Sequence, residues 1–200
     1  ALPIWPLAPD EIRGRTLCTL VSQGTEIGWA NGDSFPIRPG YAAVFEVEEI
    51  GRDVTGVQKG ERRFAMGCHR ATQTHRAQHS LPVPDGLTSA QAVLARLAGV
   101  SMTTLMTTRA RAGDRVVICG AGPVGLLAAH LFHLAAYRVT VVDPDLLRRR
   151  QVVQSGIADA RASMPLGDPD YQGKVALVVD CSGHEGAVLD GCRIVGRIKD

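Results

Sequence analysis

The chain has 200 residues, 45% hydrophobic and 21% charged, with a formal net charge of +2. That composition is that of an ordinary globular protein and provides no basic field to argue for nucleic acid or an anionic membrane. Apolar runs such as Val116–Cys119 are short, far from the ~20 residues a spanning helix needs, and no charged n-region with an apolar stretch opens the chain.

In chain order, the first hundred residues are punctuated by Pro and Gly. Pro36, Pro39 and Gly40 lead into a predicted strand, Tyr41 to Ile50, with Ala43, Phe45 and Val47 on one face and Glu46 and Glu48 on the other. Gly60 and Glu61 precede a second short strand through Phe64–Met66, and Leu81–Gly86 reads as an extended linker or turn. After Leu87 the pattern turns helical. Ser89–Ala98 follows an N-cap at Thr88 or Ser89, and a further helix covers Ser101–Arg111. Arg115–Gly120 is a buried strand, Val124–Ala136 a helix and Arg138–Asp143 a strand. Leu146–Ser155 is a helix, a fourth strand lies around Asp159–Ala162, then come strand Ala176–Asp180 and helix Glu185–Val195. Alternating strands and helices predict a parallel sheet covered on both faces.

The sharpest motif is Gly120, Gly122 and Gly125 in the run Gly-Ala-Gly-Pro-Val-Gly, between a predicted strand and a predicted helix. Gly120 allows the tight turn, Gly122 lets a pyrophosphate approach the backbone, and Gly125 permits close helix–strand packing. Pro123 and Val124 open the helix, whose first amides and dipole favour phosphate. Asp143, 18 residues beyond Gly125, ends the next strand where a carboxylate can accept both ribose hydroxyls. It favours NAD over NADP by like-charge repulsion, while Arg148–Arg150 could embrace a phosphate or form a solvated helix face.

Five cysteines, Cys18, Cys68, Cys119, Cys181 and Cys192, form no close pair. An odd, scattered set argues against a disulfide framework, and the expected location is the cytoplasm.

The run Gly113–Gly125 resembles the nucleotide-binding start of the medium-chain dehydrogenases/reductases, the alcohol dehydrogenase superfamily. Val179–Gly183 resembles a later strand of that family, whose end lies near the nicotinamide. Gly24–Glu26, Pro39–Val44, Gly60–Glu61 and Leu81–Gly86 follow in the family's order. The resemblance implies an α/β protein: a GroES-like β-rich substrate domain (1–98), then a Rossmann dinucleotide-binding domain (99–200) with a doubly wound parallel sheet. About six strands are expected there, so the sheet reads as incomplete. The resemblance would put a glycine-rich turn into another strand at Gly196–Asp200. It also implies cofactor contacts from Thr104, with Thr103 and Thr107 on the same helix, and from Ser182, Gly183 and His184.

The chain departs from the zinc-binding pattern. Val21–Glu26 contains no Cys, the family's His-Glu pair is replaced by Tyr41 and Ala42, and Ala95–Gly99 offers no Cys, His or Asp. A catalytic zinc needs about three protein ligands, so no zinc is expected. The zinc-free branch, with motifs similar to the hydroxyethyl bacteriochlorophyllide dehydrogenase group, is the better match. The expected activity is hydride transfer between NAD (or NADP) and a secondary alcohol or ketone. A quinone or enone reductase, or a degenerate nucleotide-binding protein, are the alternatives. Without a metal, a side chain must handle the proton. Tyr41 and His69 are the leading candidates, with Glu26, His75 and His79 behind them. The expected partner is a small-molecule substrate, without nucleic acid or membrane, and the family resemblance allows a homodimer.

Overall fold

The computed structural model describes residues 6–196; the end at 197–200, where a further turn was expected, lies outside them. The chain divides into two compact units, 1–96 and 97–200. Among the described residues no helix is long and apolar enough to cross a membrane.

The first unit is a curled antiparallel sheet in the order β4-β1-β2-β3-β5. Its strands are β1 (Glu11–Leu20), β2 (Ala42–Ile50), β3 (Arg62–Ala65), β4 (Thr72–Arg76) and β5 (Ser80–Pro82), and helix α1 (Gln23–Ala30) lies between β1 and β2. Ile12, Phe45, Val47 and Ala65 form the core on one face. The alternation expected of β2 holds only in its second half. Ala42 and Val44 are buried as well as Ala43 and Phe45, because helix α2 (Ser89–Val93) packs on β1 and β2. The segment expected as a linker begins with β5, which pairs with β3 through Phe64 and Leu81.

Of the two expected N-caps, Thr88 caps the next helix, and it does so as a capping box: Thr88 Oγ1 accepts from the Gln91 amide and the Thr88 amide donates to the Gln91 side chain. The predicted break near residue 99 instead falls at Leu94, where the amide of Leu94 tightens onto the Gln91 carbonyl. Helix α3 (Ala95–Thr107) then runs through Gly99 without interruption.

The second unit is a parallel sheet in the order β8-β7-β6-β9, from β6 (Arg115–Cys119), β7 (Arg138–Val142), β8 (Asp159–Arg161) and β9 (Val175–Asp180). Helices α4 (Pro123–Leu134), α5 (Leu146–Gln154) and α6 (Glu185–Ile194) connect or follow these strands. One apolar cluster gathers Val116, Ile118, Ala128, Ala129, Phe132 and Val141, and another Val117, Cys119, Tyr171, Val175 and Ile194. Helices on both faces require strands buried on both faces, which is why β6 and β7 read as apolar runs. From β6 the chain moves outward to β7 and β8, then returns to place β9 on the other side of β6. The carboxyl ends of β6 and β9 therefore flank a topological switch point, where α/β sheets bind ligands.

Candidate functional site

The glycine motif lies at that switch point. Gly120 has φ +91°, and a Cβ there would press on the Cys181–Ser182 backbone. A Cβ on Gly125 would collide with the Gly120 carbonyl, whereas a Cβ on Gly122 would meet only open space. The first and third glycines thus hold helix against strand, and the second leaves the approach clear. Pro123 occupies the first turn of α4, where a missing N–H removes nothing. The amides of Val124 and Gly125 belong to the helix turn that has no intrahelical acceptor, so they are available to an anion.

A crevice of about 500 Å³ opens here, lined by Gly120, Gly122, Asp143, Arg148, Ser182 and His184 among others. Asp143 is only 2% exposed. One of its oxygens accepts from the Ala121 amide at 2.7 Å and the other from the Asp145 amide at 2.8 Å. The carboxylate is thereby fixed at the end of β7 with lone pairs to spare. Arg148 lies 3.6 Å from it, with a side chain 54% exposed, while Arg149 donates to the Asp143 and Pro144 carbonyls. The arginine run thus divides: one residue closes the turn and one faces the crevice.

Ser182 and Gly183 form a turn around a carboxylate that sequence reading missed. Asp180 accepts from the Ser182 hydroxyl at 2.6 Å and from the Ser182 and Gly183 amides. Burial opposes its ionisation, but these bonds outweigh it and hold the carboxyl below its ordinary value. Two thiols beside the crevice are unreactive by the same physics. Burial, then Asp180, pushes Cys119 up to about 12 and Cys181 up to about 11. On α3, Thr103 and Thr107 bond to the carbonyls of Gly99 and Thr103 on their own helix, and half-buried Thr104 lies between them.

In the antiparallel unit, Gly40 has φ +120° and lies so close to the Cys68–His69 backbone that a Cβ would clash. The His69 amide donates to the Pro39 carbonyl at 2.8 Å, and buried Gln73 donates to the Cys68 carbonyl. These contacts fix the turn that presents His69. Its Nδ1 lies 2.8 Å from Thr19 Oγ1, and its Nε2 lies 3.1 and 3.3 Å from the Glu26 carboxylate oxygens. Both ring nitrogens are therefore engaged, one by Thr19 and one by Glu26. Glu26 is set by the first turn of α1, where its carboxylate also accepts from the Ser22 amide. Thr19 was not among the expected residues, since only the β1 fold-back brings it within reach.

Tyr41 has a partner that sequence reading also missed. Arg96 Nη2 donates to Tyr41 Oη at 3.1 Å, and its guanidinium carbon lies 4.3 Å from the ring centroid. Among the described residues, the buried side-chain nitrogen or oxygen without a hydrogen-bond partner is Arg96 Nε. Leaving such a donor unpaired costs about 1–3 kcal/mol. His75 does not join either pair: it lies on β4, bonded to Gln73 and against Phe45. His79 is bonded to Gln78 at the surface.

The lining of the crevice fits a dinucleotide. The crevice offers open backbone at Gly122, helix-start amides and an oriented carboxylate. In the other unit His69 and Glu26 bind each other, Tyr41 accepts from a cation, and no group of three or more His, Cys, Asp or Glu gathers among the described residues.

The chain thus combines a small antiparallel sheet with an α/β unit whose crevice lies at the switch point of a parallel sheet. No protein-family model matches the chain. It is 28% identical to (R,R)-butanediol dehydrogenase of Neisseria gonorrhoeae (strain ATCC 700825 / FA 1090) over 120 residues, 60% of this chain and 32% of that protein. It is 32% identical to scyllo-inosose 3-dehydrogenase of Thermotoga maritima (strain ATCC 43589 / DSM 3109 / JCM 10099 / NBRC 100826 / MSB8) over 139 residues, 69% of this chain and 28% of that one. The matched segment thus spans about a third of each relative's length. The structure of acetophenone reductase from Geotrichum candidum NBRC 4597 in complex with NAD superposes with a TM-score of 0.80 at 18% identity, over 97% of this chain and 67% of that one. An NADP-bound protein of Sinorhizobium meliloti 1021, described as a zinc-binding dehydrogenase, gives a TM-score of 0.80 at 19% identity, over 98% and 69%. The two curated relatives are dehydrogenases, and the fold shared with the solved structures is a GroES-like antiparallel sheet followed by a Rossmann-like parallel sheet.

Proposed function

We propose that this chain is part of an NAD-dependent oxidoreductase that interconverts a small secondary alcohol and its ketone without a catalytic zinc. The observation that carries the reading is the switch-point crevice. There Gly120, Gly122 and Gly125 leave room for a pyrophosphate, and Asp143 is held for a ribose. When bound, a nicotinamide supplies the hydride chemistry. The chain's residues bind and orient it: Val124 and Gly125 amides take phosphate, Asp143 takes the ribose hydroxyls, and Ser182, Gly183 and Thr104 border the nicotinamide end.

The proton falls to the other unit. Glu26 holds His69 Nε2, leaving Nδ1 to exchange a proton with the Thr19 hydroxyl. Thr19 then serves as the outlet to the substrate oxygen. The pairing of His69 with Glu26, and of Tyr41 with Arg96, supports zinc independence because these side chains are already committed to one another. Arg148 beside Asp143 softens the charge barrier to a 2′-phosphate, so NADPH is expected to bind more weakly but measurably. Five unpaired cysteines support a reducing compartment such as the cytoplasm, and a homodimer accords with the family resemblance.

Parallel fluorescence titrations with NADH and NADPH test the reading. Tighter NADH binding, followed by turnover on a panel of secondary alcohols, supports it. Binding of neither nucleotide removes it, and turnover only on quinones or enones with NADPH replaces it with a reductase of activated double bonds.

A further inference from the structure

We propose that Arg96 and Tyr41 form a binding site for a carboxylate, so that the substrate is an acid bearing the reacting alcohol or ketone. The inference rests on the oxidoreductase reading only in naming that ligand as substrate. Its physical basis is the guanidinium itself. Arg96 makes no ion pair with any Asp or Glu among the described residues. Its neighbour is the Tyr41 ring at 4.3 Å, and its Nη2 donates to Tyr41 Oη. Its Nε–H is buried without an acceptor.

A half-buried cation whose contacts are a phenol ring and a phenol oxygen lacks a counter-charge as well as an acceptor. A carboxylate supplies both; a neutral carbonyl supplies only the second. Tyr41 adds a further donor, because its oxygen accepts from Arg96 and its own hydrogen is free to point elsewhere. The stacked ring holds the planar guanidinium in place, which a lysine ammonium could not reproduce. Two N–H or O–H donors of adjacent groups, one of them charged, match the two oxygens of a carboxylate.

The test uses the whole chain labelled with ¹⁵N, following arginine Nε–H resonances as acetate is added, with acetamide as the neutral isostere. One Nε–H signal, absent in Arg96→Lys, should move with acetate. Acetamide should bind roughly tenfold more weakly, as should acetate to Arg96→Lys, and Tyr41→Phe should cost a smaller factor. Undisturbed amide resonances elsewhere in Arg96→Lys show that the variant is folded. The proposal is overturned if acetate leaves that resonance unmoved, if acetate and acetamide bind alike, or if Arg96→Lys binds acetate like the parent chain. NADH is titrated into the same samples: its failure to bind overturns the oxidoreductase reading while leaving a carboxylate site standing on its own result.

Discussion

In the parallel unit the groups offered to a ligand are largely backbone: the open edge of Gly122, the first amides of α4 and the turn around Asp180. In the antiparallel unit they are side chains drawn from separate segments. Thr19 comes from β1, Glu26 from α1, Tyr41 from the start of β2, His69 from the turn after β3 and Arg96 from the start of α3. Backbone sites depend on steric room that a single methyl can remove. Side-chain sites depend on pairs, and a pair can be altered with little effect on the fold.

The contrast sets the order of expected effects. The largest follows from Gly125→Ala, whose Cβ would collide with the Gly120 carbonyl. Helix α4 must shift, with an expected cost of roughly 3 kcal/mol and loss of nucleotide binding. Thermal unfolding and an NADH titration measure both; an unchanged melting temperature would show that the close approach is not needed.

Glu26→Gln comes next. The amide keeps the shape of the pair but removes the charge that holds His69 Nε2, so turnover should fall by about 10²-fold. NADH affinity should stay within a factor of two, since the nucleotide residues lie in the other unit. A variant with undiminished turnover would remove the Glu26–His69–Thr19 relay from the mechanism.

This division also explains what could be read from the residues alone. Gly120, Gly122, Gly125 and Asp143 lie within one strand-turn-helix-strand stretch, so local spacing carries their meaning. Thr19 and Arg96 carry no such signal. Thr19 meets His69 across 50 positions, and Arg96 meets Tyr41 across 55, distances that only the sheet order closes. Strand β4, Thr72–Arg76, escaped because it is an edge strand of polar residues with Gln73 as its buried member. In β2 the expected alternation failed for a tertiary reason, the packing of α2 over Ala42 and Val44. The residue types at Tyr41 and His69 were legible, but their partners Arg96, Thr19 and Glu26 were not.

Asp143→Asn tests the nucleotide side without removing its shape. The carboxylate accepts from two backbone amides, and an asparagine can satisfy only one of them through its oxygen. The unmatched contact should cost about 1–3 kcal/mol, and the lost charge should narrow the NADH preference by roughly tenfold. Equal loss of NADH and NADPH affinity would instead mean that Asp143 holds the turn and takes no part in discrimination.

The smallest effect concerns His75, which shares the antiparallel unit with the relay but stands outside it. Burial holds its imidazole below the ordinary 6.5, aided by repulsion from Arg70 and His79 and opposed by Glu11. The folded chain therefore binds this proton less readily than the unfolded chain. Stability from the neutral ring is fully present above pH 6.5 and is lost as pH falls through the lower folded value. Denaturant midpoints measured from pH 7.5 to 5 should decline through that window, and His75→Gln should flatten part of the decline. Because His75 donates to Gln73, which in turn holds the Cys68 carbonyl beside His69, the local opening that relieves a charged, buried ring should also loosen the turn that presents the relay. Turnover in His75→Gln should then lose less activity than the parent chain as pH falls below 6.5. An identical acid limb in both would confine His75 to the sheet's packing and separate it from the site.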